Sequence, residues 1–177
     1  MKKNILKTVI CLFFAAVLVL LDQLSKAWAV NELKNAADLI VIPGVFQLHY
    51  LENTGMAFGL MENQQIFFYI MTAIILAAVL TVLYKTPWNK RFAVLNVILT
   101  FVIAGAIGNL IDRASQQYVV DFLYFSLIDF PVFNVADCYI TVSCILLLIL
   151  LFFVYKDDEL KETYTFGKKE QDGTATD

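Results

Sequence analysis

Two aspartates, Asp121 and Asp137, lie sixteen positions apart, and each stands at the flank of an apolar segment. A carboxylate held against a membrane-like stretch costs free energy, so such a residue usually has a function. Two carboxyl groups in one apolar site tend to share a proton, which leaves one as a general acid and the other as a general base. These two residues, the aspartate pair, therefore suggest acid–base chemistry.

The composition indicates an integral membrane protein. Of 177 residues, 60% are hydrophobic and only 16% are charged, and the mean hydropathy is +0.71. These values lie outside the range of soluble domains of this size. The formal net charge of −3 has a local origin, because seven of the sixteen acidic residues fall within positions 157–177. The acidity is a property of the tail, and no nucleic-acid partner is expected.

Four stretches are long and apolar enough to cross a bilayer, which takes about 20 residues of helix. They predict an all-α membrane protein with transmembrane helices at about 5–30, 66–84, 92–111 and 136–155. Positions 1–156 would form the four-helix membrane domain, and 157–177 a charged cytoplasmic tail.

The distribution of lysine and arginine predicts the orientation. Ten of the thirteen belong to the N-terminus, the turn between the second and third helices, and the tail, while Lys26, Lys34 and Arg113 lie on the other side. By the positive-inside rule both termini are cytoplasmic, and segments 31–65 and 112–135 face outward. The aspartate pair would then sit near the outer face of the cytoplasmic membrane.

The first helix also has features of a secretory signal peptide, since lysines precede its apolar run and Ala27-Trp28-Ala29 is similar to a cleavage site. We favour a retained membrane helix, because the run is too long for the core of a signal peptide. In addition, Asp22 and Lys26 interrupt its outer end at the i, i+4 spacing of an ion pair.

The outward segment 31–65 predicts a small extracytoplasmic β-sheet. Two β-rich runs, 39–42 and 45–50, flank the Pro43-Gly44 turn. In the second run apolar and polar residues alternate, so the sheet would have one apolar face with which to lie on the membrane surface. His49, the only histidine, falls on the polar face. We interpret it as a solvated strand residue rather than a catalytic base.

Further polar residues and glycines cluster at helix ends on the outward side. Asn53-Thr54-Gly55 precedes the second helix, and Gly105, Asn109 and Arg113 follow one another near the end of the third. Glycine lets a second backbone or a substrate approach closely, and Asn109 and Arg113 share one helix face. Taken alone, these residues could equally form a tight turn, helix-packing contacts and a cation at the interface.

The polar residues fall in five short blocks that together resemble the signature motifs of lipoprotein signal peptidase, also called signal peptidase II. The blocks occur in order and at compatible spacing from about residue 20 to 140, so the resemblance covers all four helices. They are Leu21-Asp22-Gln23-Leu24-Ser25-Lys26, Asn53-Thr54-Gly55-Met56-Ala57-Phe58, Gly105 through Arg113, Val119-Val120-Asp121-Phe122 and Phe133-Asn134-Val135-Ala136-Asp137.

The resemblance implies an aspartic endopeptidase of the bacterial cytoplasmic membrane, which removes the signal peptide from prolipoproteins whose cysteine carries a diacylglyceryl group. It implies that Asp121 and Asp137 are the catalytic residues and act on a water without a metal or other cofactor. Substrate binding or support of the aspartate pair is expected from Asn53, Gly55, Gly105, Asn109, Arg113 and Asn134. A structural role is expected for Asp22, Lys26 and Asp112.

The expected partners are the prolipoprotein substrate and membrane lipid, and the protein is expected to be a monomer. Acyl chains of the substrate would enter a groove between the helices. The apolar segment 122–132 would lie on the membrane opposite the sheet, as a second jaw that gates entry.

Two other classes of function remain open. A proton-coupled transporter would also bury aspartates, but its charged residues should lie near mid-membrane on several helices. A non-enzymatic assembly subunit would explain the helices and glycines, but it gives no reason for the aspartate pair. Zinc and serine proteases have less support, because the chain has a single histidine and no metal-ligand or triad spacing that we recognise.

Overall fold

The computed structural model describes residues 2–55, 64–156 and Glu159. Four helices dominate it: α1 (Lys2–Leu33), α2 (Gln65–Lys85), α3 (Ala93–Gln116) and α4 (Val135–Ile149), the last continued by a π-helical turn at Leu150–Val154. Three strands form the remainder: β1 (Leu39–Ile42), β2 (Phe46–Asn53) and β3 (Val119–Tyr124), with a short 3-10 helix at Ser126–Ile128.

All four predicted membrane spans are confirmed by length and apolar composition. The helix α3 continues to Gln116, five residues beyond its predicted end, because the polar residues of its last turns have partners inside the protein. Of the predicted tail, only Glu159 is among the described residues, and its carboxylate lies 2.8 Å from Nε of Arg91. The other tail positions, and the Met56-Ala57-Phe58 part of one motif, lie outside the described residues.

The central helix of the bundle is α3. Of its most apolar stretch, 56% is buried inside the protein, compared with 17% for α1 and 11% for each of α2 and α4. The other three helices pack around α3 and expose apolar side chains on their outer faces, as expected of helices surrounded by lipid.

Two glycines allow α1 and α4 to approach α3 closely. A Cβ atom on Gly105 would lie 2.6 Å from the carbonyl oxygen of Ala136 on α4, and one on Gly108 would lie 2.6 Å from Oδ2 of Asp22 on α1. Both distances are shorter than van der Waals contact, so no larger residue fits without displacement. This close packing allows polar residues of α1, α3 and α4 to contact one another.

The strands form one antiparallel sheet in the order β1-β2-β3. The predicted strands β1 and β2 are confirmed, whereas β3 is not predicted from the sequence. Register places Asn53 opposite Val119 and Leu51 opposite Asp121. The buried residues Val120 and Phe122 of β3 pack against the end of α1, so the sheet is attached to one end of the bundle.

The prediction that segment 122–132 forms a jaw opposite the sheet is wrong. Its first three residues belong to β3, in the same sheet. The ring of Phe125 then lies 5.0 Å from that of Phe46 on β2, so the segment stays beside the sheet. The physical reason is that β2 has an open edge after pairing with β1, and the apolar run 119–124 satisfies the backbone groups of that edge.

Candidate active site

Asp121 lies on β3 with its side chain almost fully buried, at 1% exposure. Its Oδ2 accepts a hydrogen bond from Nδ2 of Asn53 at 2.8 Å, and its Oδ1 accepts one from Nδ2 of Asn134 at 2.6 Å. Asn53 is held in that orientation because its own Oδ1 accepts a bond from the backbone N–H of Gly55. Two fixed amide donors therefore point at this carboxyl group.

Asp137 lies in the first turn of α4, three residues after the N-cap residue Asn134. The two form a capping box: Oδ1 of Asn134 accepts from the Asp137 backbone N–H at 3.0 Å, and Oδ2 of Asp137 accepts from the Asn134 backbone N–H at 3.2 Å. The remaining oxygen, Oδ1, accepts from Nδ2 of Asn109 at 2.8 Å. Each of the four oxygens of the aspartate pair thus accepts one hydrogen bond from an asparagine.

Asn134 joins the two halves of the aspartate pair. It is fully buried, its side chain donates to Asp121 and its backbone N–H donates to Asp137. One residue can bond to both carboxyl groups only if they are neighbours. The structure therefore brings together, across β3 and α4, the two aspartates that the sequence singled out.

The environment of Asp121 favours its protonated form. Burial raises the pKa of the Asp121 carboxyl, and the negative charge of Asp137 raises it further, to about 7. The hydrogen bonds from Asn53 and Asn134 act in the opposite direction, because they stabilise the charged form. Asp121 can therefore gain or lose a proton near neutral pH.

Behind the aspartate pair lies a buried ion triad of Asp22, Lys26 and Asp112. The ammonium of Lys26 lies 2.9 Å from Oδ2 of Asp22 and 3.1 Å from Oδ2 of Asp112. Gln23 also bridges the two acids, since its Nε2 lies 2.8 Å from Oδ1 of Asp112 and 3.3 Å from Oδ2 of Asp22. The i, i+4 pair seen in the sequence is therefore part of a larger cluster.

Arg113 lies beside the site, and only part of its guanidinium has hydrogen-bond partners in the described part of the chain. Its Nη2 donates to the carbonyl of Gly55 at 3.3 Å, and its Cζ lies 4.4 Å from the centroid of the Phe68 ring. The buried Nε has no hydrogen-bond partner among the described residues. A buried donor without a partner costs free energy, so this atom is available to an incoming acceptor.

The structure places Gly105 and His49 outside direct contact with the aspartate pair. Gly105 packs against Ala136 and Ile140 of α4, the helix that carries Asp137. His49 lies on the exposed side of the sheet, with Nδ1 2.8 Å from Oδ1 of Asp38. Within the described part of the chain, no three His, Cys, Asp or Glu residues are arranged to hold a metal ion.

Two features of the site are not predicted by the sequence analysis. The contact between Lys26 and Asn109 at 3.0 Å leaves no local sequence signal, because 83 positions separate the two residues. The capping box does leave one: Asn134-x-x-Asp137 ahead of an apolar run is a helix-start pattern. This pattern places Asp137 in the first turn of α4 and Asn134 at its N-cap.

Comparison with known proteins gives one consistent result. A family model described as signal peptidase (SPase) II matches residues 14–153. The lipoprotein signal peptidase of Streptococcus thermophilus (strain CNRZ 1066) is 44% identical over 134 residues, which cover 76% of this chain and 86% of the relative. That of Clostridium tetani is 37% identical over 152 residues, covering 84% and 94%. A solved structure of a bacterial membrane enzyme matches with a TM-score of 0.72 and 32% identity, over 92% of this chain and 94% of that one.

Proposed function

This chain belongs to the signal peptidase II family, and from that premise we propose that Asp121 and Asp137 are the residues with which it cleaves its substrate. The family assignment makes the protein a lipoprotein signal peptidase, a membrane-embedded protease that acts on prolipoproteins. Nothing in the comparisons favours a transporter or an assembly subunit. The observation that carries the proposal is the contact of Asn134 with both carboxyl groups.

The chemistry requires the two carboxyl groups to start in different protonation states. We assign the proton to Asp121, whose pKa of about 7 leaves it about half protonated at neutral pH and largely protonated below it. Asp137 is the carboxylate, because it lies in the first turn of α4, where the positive end of the helix dipole favours a negative charge. This assignment makes Asp137 the general base and Asp121 the general acid.

The proposed reaction conserves protons over one turnover. Asp137 takes a proton from a water as the water oxygen attacks the scissile carbonyl carbon, and Asp121 gives its proton to the carbonyl oxygen. In the collapse of the resulting diol, Asp121 recovers a proton from a hydroxyl group and Asp137 passes its proton to the leaving nitrogen as the C–N bond breaks. Both residues then have their starting protonation states, and the cycle needs no other reactant.

We further propose a diacylglyceryl-modified prolipoprotein as the substrate, with its acyl chains against the apolar faces of the bundle. The Nε of Arg113, which has no hydrogen-bond partner among the residues that the structure describes, supports this proposal, because it offers a donor beside the aspartate pair to a substrate carbonyl or ester oxygen. Both termini are proposed to be cytoplasmic, which puts the site near the outer face, as the distribution of lysine and arginine predicts. The protein is proposed to act as a monomer.

The substrate proposal is tested by comparing two forms of one prolipoprotein, with and without the diacylglyceryl group, as substrates of the purified protein in lipid. We expect cleavage before the lipidated cysteine, at least about 100-fold faster for the modified form, since acyl binding energy is used to position the scissile bond. A metal chelator is expected to leave the rate unchanged. Equal rates for the two forms would exclude recognition of the lipid, and inhibition by the chelator would exclude the metal-free reaction.

The protonation of Asp121 predicts the pH dependence of cleavage. A carboxyl with a pKa of about 7 is protonated below that pH and ionised above it, and an ionised Asp121 cannot donate its proton to the carbonyl oxygen. We therefore expect kcat/KM to fall about tenfold per unit of pH above about pH 8. The measurement is the initial rate at low substrate concentration, with thermal unfolding recorded at each pH as a control. A flat profile through about pH 9 would contradict the role given to Asp121.

A further inference from the structure

The ion triad is bonded to the chain immediately before each member of the aspartate pair. Oδ1 of Asp22 accepts from the backbone N–H of Ala136 at 2.9 Å, one residue before Asp137. Oδ2 of Asp112 accepts from the backbone N–H of Val120 at 3.1 Å, one residue before Asp121. The two acids therefore hold α4 and β3, respectively, at the positions from which the two carboxyl groups project.

Lys26 links these two anchors to each other. Its ammonium contacts one oxygen of Asp22 and one of Asp112, and it donates to Oδ1 of Asn109 at 3.0 Å. An ammonium has three protons, so these three bonds use all of them. Its side chain is 3% exposed. In this buried setting the three acceptors have fixed positions relative to one another.

The bond to Asn109 also sets the direction of a donor in the site. Oδ1 of Asn109 accepts from Lys26 and from Nδ2 of Asn134. With its oxygen held in this way, Asn109 must turn its NH₂ group to the opposite side, where it donates to Oδ1 of Asp137. An apolar residue at position 26 would remove one of the two hydrogen bonds that fix the orientation of the Asn109 amide.

We propose that Lys26 is a positioning residue for peptide cleavage, which fixes the separation and orientation of the aspartate pair through Asp22, Asp112 and Asn109. The inference rests on the proposed function of that pair. Displacement of reacting groups by about 1 Å can lower a rate about 100-fold, so loss of these bonds affects the chemical step more than substrate binding. A purely structural lysine would instead change stability alone.

Lys7 provides a matched control on the same helix. It is also buried, at 1% exposure, and its ammonium donates to the carbonyls of Leu83 and Thr86 at the far end of α2. Lys7→Met and Lys26→Met therefore each remove a buried, hydrogen-bonded ammonium from α1. Only the second change touches the residues that hold the aspartate pair.

The test is the steady-state kinetics of both variants on a lipidated prolipoprotein, corrected for the folded fraction. For Lys26→Met we expect kcat to fall about 100-fold with KM within about threefold, and for Lys7→Met a lower Tm with kcat within about twofold. The charges that act on Asp121 are those of Asp137 on α4, Lys26 on α1 and Arg113 on α3, and the acids Asp22 and Asp112 contact Lys26. Because Lys26 is a cation in this set, its loss should also move the alkaline decline of kcat/KM to higher pH.

A charge-balanced variant separates geometry from folding. Lys26→Met combined with Asp112→Asn removes one positive and one negative charge, and a buried ion pair replaced in this way often costs little stability. We expect this double variant to stay folded with kcat still lowered at least about 30-fold, since the three-way contact is lost. A kcat within about threefold of wild type, in this variant or in folded Lys26→Met, would overturn the proposal.

Asp137→Asn in the same assay distinguishes the two possible failures. Inactive Asp137→Asn with fully active Lys26→Met would refute the positioning role and leave the proposed catalytic pair intact. Active Asp137→Asn would refute the catalytic pair itself, and the inference about Lys26 with it.

Discussion

Replacing either Asp121 or Asp137 by asparagine is expected to lower kcat for cleavage by about 10⁴-fold while the protein remains folded. An amide has nearly the shape of a carboxyl group, but it cannot accept the proton of the attacking water or donate an acidic proton to the substrate. The measurement is the single-turnover cleavage rate of a lipidated prolipoprotein in detergent or lipid. We expect KM to change much less than kcat, because neither group is assigned to binding.

The folded state of these variants can be predicted as well. Both oxygens of each carboxyl accept hydrogen bonds from groups with fixed orientations, so one of the two bonds is lost when an oxygen becomes an NH₂ group. We expect each substitution to lower the free energy of unfolding by about 1 kcal/mol. This loss is partly offset in Asp137→Asn, because that variant no longer buries the carboxyl group that we assign as ionised.

Asp38→Asn is the matched control for the aspartate variants. Asp38 is an exposed acid at the sheet, bonded to Gln47 and His49, so the same chemical change there should leave kcat at the wild-type value. If Asp121→Asn or Asp137→Asn cleaved as fast as this control, that residue would have no place in the reaction.

The second large effect is expected for Asn134→Ala. This substitution removes the side-chain donor to Oδ1 of Asp121, the donor to Asn109 and the N-cap acceptor of α4. Loss of one well-placed donor in an active site costs about 10²–10³ in kcat, and loss of an N-cap costs about 1 kcal/mol of stability. Cleavage kinetics and thermal unfolding of the same preparation measure the two effects separately.

Asn134→Ser distinguishes capping from support of the aspartate pair. A serine hydroxyl can accept the bond from the Asp137 backbone N–H, but it is too short to donate to Asp121. We expect this variant to recover most of the stability lost in Asn134→Ala and little of the activity. If stability and activity recovered together, the contribution of Asn134 would lie in starting α4 alone.

The sequence predicts the helices well because hydrophobicity and length determine them in a membrane. The strands β1 and β2 follow from the Pro43-Gly44 turn between two β-rich runs. The strand β3 does not, because its first four residues are all buried and a strand buried on both faces shows no alternation of polar and apolar residues. Without this strand, the sequence of segment 122–132 predicts a separate jaw.

The members of the candidate site stand out in the sequence, whereas the contacts between them do not. Polar residues are rare near membrane helices, so Asp121, Asp137 and their asparagine neighbours stand out. Their hydrogen bonds join positions as far apart as 68 for Asn53 with Asp121 and 114 for Asp22 with Ala136. No local pattern encodes such pairings. Lys26 is an example. Its i, i+4 spacing from Asp22 predicts a local ion pair, but no pattern in the sequence predicts its contacts with Asp112 and Asn109.

The capping box has a consequence for how the substrate must behave. The carboxyl of Asp137 accepts from the backbone N–H of Asn134 at the N-terminal end of α4, so swinging this side chain toward a substrate would leave this donor without that acceptor. In the proposed reaction Asp137 therefore keeps its position, and the scissile bond of the signal peptide moves to it. A signal peptide in helical form cannot present its scissile carbonyl to Asp137, because the backbone carbonyls of a helix are hydrogen-bonded within the helix. We therefore expect the residues around the scissile bond to unwind into an extended form before cleavage, and sequences that unwind easily at that point to be the faster substrates.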